Sequence, residues 1–263
     1  MDRYQIMNGD CLDRLKDIPD GSVDLILTDP PYGTTACKWD VVIPFEPMWI
    51  EVWRVLKKAR ACVLFGAEPF SSALRMSQMD KFKYDWIWIK NYSVGFVNAH
   101  LKPMNKHEIV SIFSDGKTSN GSKNNMFYLP QGLEKHGKIV RGTKRCRHGY
   151  SGCFSRQSQE KSIVQEFTNY PTTVLKFENP NHESLHPTQK PIDLLEYLIR
   201  TYTNKGETVL DFTMGSGSTG VAAMFSGRKF IGIEKDEKYF DIARRRIERA
   251  SDPEYLKKRL KSK

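Results

Sequence analysis

The sequence predicts a doubly wound α/β sheet, and three observations carry that reading. Eight short runs of β-branched and aromatic residues recur along the 263 residues. Most are nearly continuously apolar, as in strands covered on both faces. Amphipathic helical patterns lie between several of them. One strand also runs straight into a glycine-rich turn and a helix start, the punctuation of a ligand-binding βα unit.

The first strand is Tyr4–Met7, followed by the turn Asn8-Gly9-Asp10. Val23–Thr28 is a buried strand that stops at Asp29-Pro30-Pro31-Tyr32. Pro47–Leu56 places Met48, Val52, Val55 and Leu56 on one helical face. Ala61–Phe65, Trp86–Lys90 and Glu108–Phe113 supply three more strands. From 116 to 172 the rhythm breaks into a stretch rich in Gly, Ser, Asn, Lys and Arg. That composition predicts an inserted, largely irregular segment. The expected division is therefore an α/β domain from 1–115 and 173–263, with an inserted region at 116–172.

Beyond the insertion, Thr173–Phe177 is a strand, and Pro191 opens a helix striped by Leu194, Leu195, Leu198 and Ile199. Thr208–Phe212 and Lys229–Glu234 alternate with helices at Gly217–Phe225 and Asp236–Ile247. The C-terminal end is a basic helix with Arg244, Arg245, Arg246 and Arg249, read as a solvated face, followed by a Lys-rich tail.

Apolar residues make up 39% of the chain, enough for a full core, and no run approaches the ~18 of a membrane span. The start of the chain lacks an apolar signal segment, so a cytoplasmic protein with no membrane partner is expected. Five scattered cysteines then read as free thiols. Cys146, His148 and Cys153 cluster, but their spacing fits no common zinc pair, so no metal is expected. The net charge of +10 is concentrated: residues 100–165 hold twelve basic side chains against four acidic ones. Such a field attracts a polyanion. Arg141, Lys144, Arg145 and Arg147 are its densest part and the candidate DNA contacts.

Two motifs carry chemistry. Asp211-Phe212-Thr213-Met214-Gly215-Ser216-Gly217 ends a strand and opens a helix, and Gly220 completes a G-x-G-x-x-G spacing. Glu234 ends the next strand, where an acid holds ribose hydroxyls. The ligand is a dinucleotide or S-adenosylmethionine. The carboxylate of Asp211 beside the glycines would repel a pyrophosphate and attract an ammonium, which favours S-adenosylmethionine. Asp10 is either part of a surface turn or an acceptor for the cofactor's adenine amine. In the second motif, Pro30 and Pro31 remove two amide donors and stiffen the turn. The Asp29 carboxylate and the Pro30 carbonyl become fixed acceptors, with the ring of Tyr32 beside them. Two acceptors gripping an exocyclic amine would aim its lone pair at an electrophile. Tyr32 would stack on a base taken out of the duplex.

With these motifs the sequence resembles the amino-group DNA methyltransferases of the β motif order. In that family the catalytic tetrapeptide comes first, the target-recognition region second and the cofactor loop last. Asp29–Tyr32, the basic insertion and Asp211–Gly220 follow that order. His186-Pro187-Thr188-Gln189-Lys190-Pro191, Trp39-Asp40 and Phe65-Gly66 are further similarities. The family often has Asp-Pro-Phe where this chain has Asp211-Phe212-Thr213, a departure that bears on packing around the methionine moiety.

The resemblance implies a Rossmann-like S-adenosylmethionine-dependent methyltransferase fold with a circularly permuted motif order. It implies Asp29, Pro30, Pro31 and Tyr32 as catalytic residues. For cofactor binding it implies Asp10, Asp29, Lys190, Asp211, Phe212, Thr213, Gly215, Ser216, Gly217 and Glu234. Double-stranded DNA is the implied partner, with a second copy of the chain and a cognate restriction endonuclease as further candidates. Aspartate at the first tetrapeptide position goes mostly with adenine N6. Cytosine N4, RNA, or a catalytically silent DNA-binding protein of the same fold are the alternatives.

Overall fold

A computed structural model describes residues 3–35, 37, 40–140, 163–178 and 189–262. The chain divides into two units, Met1–Leu129 with Thr173–Lys263, and Pro130–Thr172.

The larger unit is built on an eight-stranded sheet. Its strands are β1 (Tyr4–Asn8), β2 (Val23–Thr28), β3 (Leu56–Gly66), β4 (Phe82–Val94), β5 (Asn105–Phe113), β8 (Val174–Lys176), β9 (Thr208–Asp211) and β10 (Lys229–Glu234). The spatial order is β1-β10-β9-β2-β3-β5-β4-β8. The five strands from β1 to β3 are mutually parallel. This differs from a wholly parallel sheet at β5, which runs antiparallel to both β3 and β4. The reason is local: β4 returns directly as β5 through a short connection, and a hairpin can only be antiparallel.

Helices cover both faces. They are α1 (Cys11–Arg14), α2 (Phe45–Val55), α3 (Phe70–Ser77), α4 (Ile192–Tyr202), α5 (Ser218–Phe225), α6 (Glu237–Ser251) and α7 (Pro253–Ser262). Alternation along β2 sorts its side chains. Leu25 and Leu27 join the core under α4, α5 and α6, with Leu194, Leu198, Val221 and Ile247. Ile26, and Val23 ahead of the register shift between Val23 and Leu25, join the opposite core with Met48, Trp49, Val52 and Leu74. Truncating one such leucine to alanine costs about 2–5 kcal/mol. Every residue of β2 is buried, as expected of the central strand of a two-sided sheet.

The chain reverses its direction of travel across the sheet between β9 and β2. From β9 it moves to β10, whereas from β2 it moves to β3. That switch point opens a crevice at the carboxyl ends of the strands. Residues 116–129, placed in the insertion from sequence, are part of the larger unit. Met126 is buried in its core, and the Phe127 and Leu129 amides donate to the Ala59 and Thr201 carbonyls. Apolar anchors spaced among polar residues hide this attachment from a composition reading.

The smaller unit holds β6 (Glu134–Val140) paired antiparallel with β7 (Ile163–Thr168). Within the stretch expected to be largely irregular, these two runs pair as strands, with Ile163, Val164 and Phe167 supplying β-prone residues. Among the described residues no helix is long and apolar enough to cross a membrane.

Candidate active site

Four carboxylates stand at the ends of four neighbouring parallel strands. In spatial order they are Asp10 after β1, Glu234 on β10, Asp211 on β9 and Asp29 after β2. They line a cavity of about 610 Å³ together with Pro30, Pro31, Tyr32, Lys190, Phe212, Thr213, Gly215 and Ser216. Sequence reading therefore assembled one site from segments that lie nearly two hundred residues apart. Gly217 is not part of the wall. It caps α5 with φ 78°, and a Cβ there would lie 2.9 Å from the Ala243 Cβ on α6. Glycine is needed at this position for the left-handed turn and for helix packing.

The glycine loop is held from outside by charge. Glu234 Oε2 accepts from the Gly215 amide at 2.8 Å and Oε1 from the Asp236 amide at 2.8 Å. Burial raises the Glu234 carboxyl above its ordinary range. Arg246, read from sequence as part of a solvated face, instead donates to the Ser216 carbonyl and hydroxyl at 2.5 and 2.8 Å. Its neighbours in the sequence carry the same charge, so nothing in the composition separated it from them. Asp10 caps α1 by accepting from the Leu12 amide at 3.0 Å and also meets Lys235 Nζ at 3.1 Å.

Asp211 is 3% exposed. Burial pushes its carboxyl up to about 6, against the hydrogen bonds from Thr219, Thr28 and the Thr213 amide. The Thr28 hydroxyl donates to Asp211 at 2.6 Å, and the Thr213 hydroxyl donates to the Asp29 carbonyl at 3.1 Å. Thr213, at one of the positions that depart from the family pattern, thus ties the glycine loop to the turn after β2.

Asp29 has two partners. Its Oδ1 accepts from the Tyr32 hydroxyl at 2.5 Å, and its Oδ2 lies 2.6 Å from Lys190 Nζ. Lys190 is thus directed to the tetrapeptide carboxylate. It also lies 3.2 Å from Glu108 Oε2, out of hydrogen-bond alignment, while Lys90 holds Glu108 Oε1 at 2.5 Å. Burial drives Asp29 above the usual carboxylate range; Lys190 opposes this and the Glu108 charge reinforces it. Glu108 goes the other way: burial raises it, but the two lysines outweigh burial and hold it low. Burial likewise keeps the Tyr32 phenol well above its ordinary value, with the Asp29 charge adding, so Tyr32 stays a donor. One face of the Tyr32 ring is stacked on Phe70, with centroids 5.1 Å apart and planes 27° from parallel.

The turn after β2 is clamped by Asp40, which in the sequence is only a point of family similarity. Its carboxylate accepts from four successive amides: Tyr32 and Gly33 on Oδ1 at 2.7 and 2.8 Å, and Thr34 and Thr35 on Oδ2 at 2.9 and 2.6 Å. Burial would raise Asp40, but the Thr35 and backbone donors outweigh it and hold the carboxyl below its ordinary range. Gly33 supplies the positive φ of 68° that lets the amides converge. Glu108 and Lys90 were also missed. Their only sequence signal is charge placed at the ends of otherwise apolar strands.

Arg141, Lys144, Arg145 and Arg147 lie outside the described residues, as do Cys146, His148, Cys153, Trp39 and His186-Pro187-Thr188.

Comparison with known proteins follows the same lines. The sequence model of a DNA methylase family matches residues 23–245. The DNA adenine methyltransferase YhdJ of Escherichia coli K12 is 31% identical over 259 residues, covering 94% of this chain and 83% of that protein. Among solved structures, the M1.HpyAVI–SAM complex is similar with a TM-score of 0.58 at 24% identity, over 92% of this chain and 99% of that one. The cytosine-N4-specific PvuII DNA methyltransferase is similar with a TM-score of 0.65 at 16% identity, over 100% and 94%.

Proposed function

We infer that this chain, which belongs to the DNA methylase family of N6 and N4 methyltransferases, methylates adenine N6 within a specific sequence of double-stranded DNA. The observation that carries the reading is that Asp29, Pro30 and Tyr32 share one cavity with Asp211, Gly215 and Glu234. The choice of adenine rests on aspartate at the first tetrapeptide position and on the named activity of the 31% identical relative.

The family uses S-adenosylmethionine, and the cavity suits it. A buried carboxylate faces the cavity beside a glycine loop, with further acids on the two adjacent strands. When bound, that cofactor supplies an electrophilic methyl group on a sulfonium. In our assignment Asp211 attracts the cofactor's ammonium. Glu234 uses its remaining lone pairs for ribose hydroxyls, and Asp10 accepts from the adenine amine of the cofactor. Gly215 permits close backbone approach, with Phe212, Thr213 and Ser216 as walls.

Asp29 and the Pro30 carbonyl accept the two N–H bonds of the target amine. This draws the nitrogen toward pyramidal geometry and aims its lone pair. An ionised carboxylate has about four acceptor sites, so the amine can bind beside Tyr32 and Lys190. Tyr32, backed by Phe70 and lining the cavity, stacks on the flipped base. Pro31 stiffens the turn. The basic cluster of Arg141, Lys144, Arg145 and Arg147 contacts DNA.

The test is mass spectrometry of nucleosides from unmethylated duplex DNA incubated with S-adenosylmethionine and either the wild type or Asp29→Ala. N6-methyladenine from the wild type alone supports the reading. N4-methylcytosine reverses the base assignment, and product confined to RNA reverses the substrate. Undiminished product from Asp29→Ala removes Asp29 from the mechanism.

A further inference from the structure

Among the described residues, the end of β4 and its connection to β5 carry a run of exposed apolar side chains that the site does not use. Tyr92, Val94, Phe96, Val97, Leu101 and Met104 are all exposed, and Phe96 and Val97 are 80% and 83% so. A segment built only to close a hairpin has no reason to present such side chains to water. Its charge is as one-sided as its hydrophobicity. From Lys90 to His107 the sequence contains Lys90, Lys102 and Lys106, two histidines and no acid.

Register places this tip. Asp29 follows Thr28, which is level with Leu64 on β3. On the neighbouring strand Gly66 is level with Ile109, and further along Ile89 is level with His107 and Val94 with Asn105. The hairpin therefore rises beyond Asp29 on the same edge of the sheet. Its base is fixed to the catalytic turn by charge, through Lys90 to Glu108, Glu108 to Lys190 and Lys190 to Asp29. The exposed tip thus has a defined height above the carboxylate that receives the base.

We propose that Phe96 and Val97 form an apolar wedge that enters the duplex beside the target and fills the space vacated by the flipped base, with Lys102 and Lys106 on the flanking phosphates. This rests on the methyltransferase reading above and adds the device that opens the helix. Inserted apolar side chains unstack base steps at a cost of a few kcal/mol per step. Filling the vacated position offsets the loss of stacking that extrusion incurs. The lysines supply sequence-independent affinity. DNA is favoured over a second copy of the chain because the segment carries Lys102 and Lys106 and no acid, so two copies face to face would set like charges together.

The experiment uses the full chain and the DNA site that the wild type marks in unmethylated genomic DNA. Two duplexes are compared, one fully paired and one with the target adenine opposite an abasic position, where it is already unstacked. Phe96→Ala with Val97→Ala should slow methylation of the paired duplex by about tenfold or more and leave the abasic duplex within about twofold of wild type. Lys102→Ala with Lys106→Ala should weaken binding to both duplexes and flatten its salt dependence. Equal loss on both duplexes from the apolar variant overturns the wedge, as does no loss on either. A dimer-to-monomer change in sedimentation without selective rescue overturns it in favour of a self-association surface. A wild type that binds S-adenosylmethionine yet marks no DNA overturns the underlying reading as well, and is told apart by its failure on both duplexes before any substitution.

Discussion

Lys190 Nζ lies 2.6 Å from Asp29 Oδ2, joining two residues 161 positions apart in the chain. The contact joins a lysine just ahead of α4 to the turn after β2. It also subjects Asp29 to two opposed fields, since Lys190 favours the carboxylate and Glu108 disfavours it.

Those fields give a signed pair of pH shifts. In the proposed reading Asp29 accepts the amine as a carboxylate, so activity should fall as the pH drops through its raised pKa. Glu108→Gln removes a negative charge and should move the acid limb of kcat/KM to lower pH. Lys190→Ala removes the positive one and should move it to higher pH. Profiles that move the same way in both variants would dissociate this pair from Asp29.

In the proposed reading Asp211 gives a second pH dependence, expected in cofactor binding. Its carboxyl is pushed up to about 6, and an ammonium binds the ionised form. Affinity for S-adenosylmethionine should therefore hold above that pH and weaken below it by at most about tenfold per unit. Asp211→Asn should bind more weakly and lose this dependence. Calorimetry from pH 5 to 8, a window chosen to span about two units above and one below the transition, measures both.

Asp40 holds the turn that carries Tyr32. Asparagine offers one acceptor oxygen where the carboxylate serves four amides. Asp40→Asn should cost about 2 kcal/mol of stability and lower kcat by roughly tenfold through the misplaced turn. Thermal denaturation and turnover on one DNA substrate test the two effects separately.

Neutralising Arg141, Lys144, Arg145 and Arg147 together should weaken DNA binding and reduce the slope of log affinity against log salt by about 0.9 for each phosphate left without its cation. Titrations between roughly 50 and 200 mM salt give the slope. An unchanged slope would mark the stretch as a solvated loop.

How legible the chain was depends on the range of the signal. Val23–Thr28 and Lys229–Glu234 are apolar runs bounded by turn residues, so both strands could be read locally. The four strand-end acids could be placed because each follows such a run. The antiparallel sense of β5 was not legible, since Glu108–Phe113 has the same apolar character in either direction. The role of Asp40 was hidden because it binds backbone amides, which leave no mark on sequence. Arg246 was hidden among like-charged neighbours, and Glu108 and Lys190 find each other only after the sheet has formed.

The pairing of β1 with β10 has a consequence in time. Asn8 Nδ2 donates to the Glu234 carbonyl across a separation of 226 residues, and the cavity wall needs residues from both strands. At ribosomal speeds of about 5–20 residues per second, the first strand waits roughly 10 to 45 s for its neighbour to emerge. A nascent chain that has already made Asp29–Tyr32 therefore has the turn after β2 but only one side of the cavity. In the proposed reading the two sides of the pocket meet only after Glu234 has left the ribosome, so methyl transfer waits for the translation of β10.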